Sequence, residues 1–173
     1  KLVRRAATDS SVFDQFACAS PHTIFVEKGG KVSPSEFANL LAVAMEKALV
    51  RLPSSPPDVG QTNKIRSKIA EYGFIGDAWF DEYLRWTVLY SEGAELVDPT
   101  YQRVITVKGV DDIFDIVDAV NEDIQTVGLA LSGERRLNFA TKITQKGALR
   151  CPDIGYMTHF DSPWDGVFLL HRL

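Results

Sequence analysis

The sequence predicts an α/β domain with a mainly parallel sheet flanked by helices. β-forming and helical patterns alternate for most of the 173 residues, one helix carries a full set of start and stop signals, and no repeat or low-complexity segment interrupts the pattern. Taken in order, residues 8–17 read as a short helix, with Thr8, Asp9 or Ser10 as N-cap and Val12, Phe13 and Phe16 on one face. Thr23 to Lys28 is rich in β-formers and is closed by Gly29-Gly30. The clearest helix follows: Ser33 caps it, Pro34 takes the first helical position and Glu36 completes a capping box. Phe37, Leu40, Leu41, Ala44, Met45, Ala48 and Leu49 then recur at helical spacing to Arg51, and Pro53, Pro56 and Pro57 stop the run.

A second helix is expected from Asp58 to Tyr72, with Ile65, Ile69 and Tyr72 inward, Lys64, Arg66 and Lys68 outward, and Gly73 and Gly76 as breakers. Leu84 to Tyr90 alternates as a strand, and Arg103 to Val107 is another, reached through a loop carrying Pro99. Asp111 or Asp112 caps a helix through Ile113, Ile116, Val117 and Val120. Residues 125–131 read as a strand, 133–146 as a helix ended by Gly147, and 148–151 as a last strand-like piece before an irregular tail through Trp164 to Leu170. The linker-like stretch from Pro53 to Asp58 is too short to divide domains.

At this length one domain with a substantial core is expected, and two would be crowded. A hydrophobic content of 45% with 24% charge is ordinary for a globular protein. The net charge of -4 offers no basic field for nucleic acid. No run approaches the roughly 18 apolar residues of a membrane span, and no secretion signal is visible. Lys1-Leu2-Val3-Arg4-Arg5 opens in mid-pattern, as expected of a piece of a longer polypeptide. The two cysteines lie far apart without metal-type spacing, which favours free thiols and a reducing, cytoplasmic setting.

Cys18 stands among small residues, between a helix-like turn and the first β-rich run. Ala17, Ala19 and Ser20 leave its sulfur room to meet a substrate, and Pro21 ends the local structure. Free cysteine is commonly a buried, inert thiol, and composition alone favours that reading. The surrounding pattern instead favours a nucleophile that receives an acyl group. Cys151 at a strand end reads as core. His22 is read as a bystander rather than a base, His159 as a solvated loop residue and His171 as inert. A zinc site from Cys18, His22, Cys151 and His159 lacks ligand spacing. Arg135-Arg136, Lys142 and Lys146 read as a solvated helix face in preference to contacts with coenzyme A phosphates. Trp79, Phe80, Tyr83 and Trp86 read as core and interface aromatics in preference to an acyl channel.

Gln15, a two-residue gap and Cys18 before the strand at Thr23 to Val26 resemble the catalytic domain of the aldehyde dehydrogenase superfamily. Val104-Ile105-Thr106-Val107, the Asp-rich helix to Asn121, Thr126 to Leu131, and the helix from Arg135 to Lys146 with Gly147 are similar to its later blocks. Asp14-Gln15, Ala17-Cys18-Ala19-Ser20-Pro21, Gln125-Thr126-Val127-Gly128, Arg150, Gly155-Tyr156-Met157 and Trp164-Asp165-Gly166 bring it nearest to the acyl-CoA reductases of the bacterial bioluminescence type (LuxC-like).

The resemblance implies that residues 1–173 form the nucleophile-bearing catalytic domain, with the cofactor-binding domain upstream and absent. It implies reduction of a fatty acyl-CoA or acyl-protein thioester to an aldehyde through a Cys18 acyl-enzyme, with NADPH as hydride donor. A homo-oligomer is a further implication. The superfamily's Glu-x-Phe-Gly-Pro ribose contact has no counterpart near Pro99 to Val104, so no cofactor-binding residue is assigned. An aldehyde-oxidising dehydrogenase using the same cysteine, and a non-catalytic interaction domain, are the alternatives.

Overall fold

The computed structural model describes residues 1–159. Four strands form one mostly parallel sheet in the order β1-β4-β3-β2, which bears out the α/β class that the alternation predicts. These are β1 (Thr23–Glu27), β2 (Asp77–Phe80), β3 (Thr87–Glu92) and β4 (Val104–Val110). β1, β4 and β3 run parallel, with Thr23 opposite Thr106 and Val88 opposite Ile105, while β2 pairs antiparallel with β3 at the edge. The helices are α1 (Leu2–Ser11), α2 (Pro34–Leu49), α3 (Val59–Ile75) and α4 (Gly133–Gln145).

β4 lies inside the sheet, and all of its residues are buried. The two-residue period of a strand then sends neighbours to opposite faces. Val88, Ile105 and Val107 meet Ala6 and Ala7 of α1 and Phe37, Leu41 and Met45 of α2 on one side. Leu89 and Val104 meet Ile65 and Tyr72 of α3 on the other. A separate apolar cluster joins Val110 to Ile116, Val120, Leu129, Phe139 and Ile143 beyond the end of the sheet.

α2 forms as expected, with the Ser33 hydroxyl accepting the Glu36 N–H and Pro34 at the first position. α3 starts at the Asp58 cap but runs through Gly73 and stops at Gly76, where an added side-chain carbon would fall 1.9 Å from the Tyr90 carbonyl oxygen. That close approach to β3 requires glycine. The strand expected from Leu84 begins at Thr87 instead, because Leu84 sits at φ 56° in a turn around Asp81. β2 is an edge strand that the sequence pattern did not reveal.

The expected helix over 8–17 is displaced: α1 ends at Ser11, and Val12–Gln15 forms a 3₁₀ turn in which Phe13, Asp14 and Gln15 all have positive φ. Ile113–Ala119 is a 3₁₀ helix rather than an α-helix, opened by a capping box between Asp112 and Asp115. The strand candidates at 125–131 and 148–151 meet only through isolated bridges, Thr126 to Arg150 and Leu129 to Asp153. The tail from Trp164 to Leu170, the Trp164-Asp165-Gly166 motif and His171 lie outside the described residues.

Candidate active site around Cys18

The Cys18 loop is held from beneath by two residues in strained backbone. Left-handed conformations cost non-glycine residues about 1–2 kcal/mol each, so three in a row persist only where tertiary bonds over-determine them. Gln15, fully buried, supplies such bonds: its Nε2 donates to the Pro21 carbonyl at 2.8 Å and to the Val104 carbonyl at 3.0 Å. Asp14 pairs with the buried Arg103 at 2.5 Å, and its carbonyl accepts the Gln102 N–H. Arg103 also donates to the Leu52 and Pro53 carbonyls. Tyr101, Gln102 and Arg103 have positive φ as well, so two strained segments lock together at the amino ends of β1 and β4.

Above this clamp, Ala17 to Ser20 makes a tight turn, with the Ser20 N–H donating to the Ala17 carbonyl at 2.9 Å. Cys18 and Ala19 are its central residues. Cys18 is exposed, whereas Ala19 and Ser20 are buried. Among the described residues, no protein acceptor takes the Cys18 or Ala19 backbone N–H. Two donors and a thiol therefore share one turn.

The turn opens on a cleft of about 1480 Å³. One wall is the unpaired edge of β1, and the other is the 120–131 segment with Phe139 of α4. Phe16, Tyr101 and His22 stand beside Cys18 along its lining. Phe16 stacks on Tyr101 with ring centroids 5.3 Å apart, and His22 meets the same ring edge-on at 5.2 Å. Burial lowers the His22 pKa from 6.5 and favours the uncharged ring, and its Nδ1 has no hydrogen-bond partner among the described residues. In open α/β sheets ligands usually sit at the carboxyl ends of strands; this cleft reaches Cys18 at the amino end of β1.

The other residues singled out from sequence lie elsewhere. Cys151 is half-buried, and burial pushes its thiol pKa up, partly offset by Arg136. The His159 N–H donates to the Tyr156 carbonyl, and its ring packs on Tyr156. Arg135 pairs with Glu27 and Asp112, Arg136 with Asp153 and Lys146 with Asp118, so these cations serve surface ion pairs. Trp86 is core, its indole N–H donating to Glu46, and Trp79 packs at the core margin; Phe80 and Tyr83 are exposed. None of these four aromatics lines the cleft. Phe16 and Tyr101 do, and no sequence signal joined two residues so far apart. Among the described residues no group of three or more His, Cys, Asp or Glu is placed to hold a metal ion, and no helix is long and apolar enough to cross a membrane.

No curated protein gives a match to this sequence. The family model for acyl-CoA reductase (LuxC) matches residues 1–173. An exposed thiol on a tight turn of an α/β scaffold and a match over the whole sequence lead to one statement: the chain belongs to the acyl-CoA reductase (LuxC) family, reductases of fatty acyl groups.

Proposed function

We propose that these residues form the acyl-accepting part of a fatty acyl thioester reductase, with Cys18 as the nucleophile. The observation that carries this reading is an exposed thiol on a turn that faces a large cleft and keeps two backbone N–H groups free. In this mechanism the Cys18 thiolate attacks the carbonyl carbon of the acyl thioester. A new S–C bond forms and the carbonyl electron pair moves onto oxygen. The Cys18 N–H, which no protein acceptor takes among the described residues, is the local donor for that oxyanion, and losing one such donor typically costs on the order of 100- to 1,000-fold in rate. Collapse breaks the original thioester bond, leaves the acyl group on Cys18 and releases the donor thiol, which takes a proton from solvent. The predominantly apolar lining, including Ile24, Val26, Leu129 and Leu131, suits an aliphatic chain.

The family implies a nicotinamide cofactor, NADPH. A dinucleotide's phosphates need backbone that approaches closely at a glycine turn between a strand and a helix. Gly29 and Gly30 lie between β1 and α2, yet an added side-chain carbon meets nothing within 4 Å at Gly29 and only the Val32 and Glu27 carbonyls, no nearer than 3.7 Å, at Gly30. Neither glycine is crowded as such a cradle requires. The Gly29-Gly30 turn therefore does not fit the dinucleotide's phosphate end, and this reading leaves those phosphates to a part of the enzyme outside residues 1–173.

The test uses the full-length enzyme, incubated without cofactor with fatty acyl-CoA labelled in the acyl group. The native protein is expected to retain label through denaturing gel electrophoresis and to release it to neutral hydroxylamine, whereas Cys18→Ser falls to background. Equal labelling of both proteins rejects Cys18 as the acceptor.

A further inference from the structure

α1 and α2 pack side by side, and a second cleft of about 520 Å³ opens along them. Lys1, Arg4, Arg5 and Thr8 line it from the first helix at i, i+3, i+4 and i+7 spacing. Lys47 of α2 and Arg51 just beyond it line the other side, one turn apart. Among the described residues none of these five cations makes an ion pair. The acidic residues nearest to them in sequence are engaged elsewhere. Asp9 is buried and accepts the Gly155 N–H, and Glu46 accepts the Trp86 indole N–H. Five cations around one cleft contrast with a chain of net charge -4.

Repulsion among these like charges is relieved when a multivalent anion enters. Guanidinium groups match phosphate oxygens as forks, and lysines add point charge.

We propose that this cleft binds the phosphate groups of a small phosphorylated ligand, with Arg4, Arg5 and Arg51 as its principal contacts. Lys1 lines both this cleft and the one beside Cys18, so a ligand held here by its phosphates has a continuous surface toward that site. The anchoring itself does not depend on acyl transfer to Cys18.

The test is calorimetric titration of the full chain at low ionic strength with inorganic pyrophosphate and, separately, with adenosine 3′,5′-bisphosphate. Saturable binding is expected, weakening as salt is added. The double variant Arg4→Gln/Arg51→Gln, altered at two exposed positions, should bind at least about tenfold more weakly with an unchanged melting profile. Cys18→Ser should bind as the native protein does, which separates this proposal from the acyl-enzyme reading. Tighter binding of the bisphosphate supports a nucleotide-borne phosphate, and equal binding of the two probes supports recognition of phosphate alone. Equal affinity of native and double-variant proteins, or no saturable binding of either probe, overturns the proposal. Binding of poly-L-glutamate without binding of either probe overturns it in favour of an acidic protein partner.

Discussion

Cys18 and Cys151 differ in the two properties that govern thiol chemistry, access and thiolate fraction. Cys18 is exposed at the centre of a tight turn, whereas Cys151 is half-buried and burial raises its pKa. Under native conditions iodoacetamide should therefore modify Cys18 at least about tenfold faster than Cys151, as read by peptide mass spectrometry over time. Comparable rates would show that the turn does not present its sulfur to solvent. The same measurement after acyl-CoA treatment reports occupancy, since an acylated Cys18 is protected while Cys151 still reacts. Gln15 is what gives the turn its position. Its amide bridges the carbonyls of Pro21 and Val104, tying both the end of the loop and the start of β4 to one side chain.

At the scale of elements, α1 carries both the run toward Cys18 and the tether of the segment around Gly155. Its buried Asp9 accepts N–H groups from Gly155 and Met157, and burial raises its pKa above 3.8. Between 3.8 and the raised folded value the native state holds more protons than the unfolded state, so this group's contribution to stability falls as pH rises through that window. Asp9→Asn keeps an acceptor oxygen without the charge. It should raise the melting midpoint at pH 7 by roughly 2–4 °C, about the effect of 1 kcal/mol in a domain of this size, with the gain shrinking as the pH is lowered toward 4. A gain that persists unchanged at low pH would remove the buried charge as its cause. Elements with local signals were legible in the sequence: Ser33, Pro34 and Glu36 mark the start of α2, and Asp58 marks that of α3. What ends α1 was not legible, because Asp14 and Gln15 answer to Arg103 and Val104, 89 residues away in each case. β2, a four-residue edge strand, carries no local signal, and the apolar pattern of 125–131 resembles a strand although it makes only isolated bridges. The exposure of Cys18 was legible from its small neighbours. Its clamp, its aromatic surround of Phe16 and Tyr101, and the convergence of cations from α1 and α2 needed the tertiary structure.

In the molecule as a whole, the large cleft divides regions of unequal cohesion. On one side, β4 is covered on both faces, by α1 and α2 and by α3, and its residues are all buried. On the other, the 3₁₀ helix Ile113–Ala119, the 120–131 segment and α4 share their own apolar cluster. This cluster meets the sheet at Phe25 and Val110, and Arg135–Glu27 is an ion pair across the junction. Partly exposed ion pairs of this kind contribute little, typically under about 1 kcal/mol. The cleft itself removes packing that would otherwise join β1 to the 120–131 segment. Native-state hydrogen exchange should therefore find two levels of protection. Amides of β3 and β4 exchange only through global unfolding, while those of α4 exchange through a smaller opening that is less sensitive to denaturant. Under the proposed function, an acyl chain in the cleft would bridge the two regions. Acylation of the full-length enzyme should then slow exchange in α4 and leave β4 unchanged, and the Cys18→Ser protein should show no such slowing. Uniform protection of α4 and β4 before acylation would mean that the cleft is no boundary in the folding of the domain.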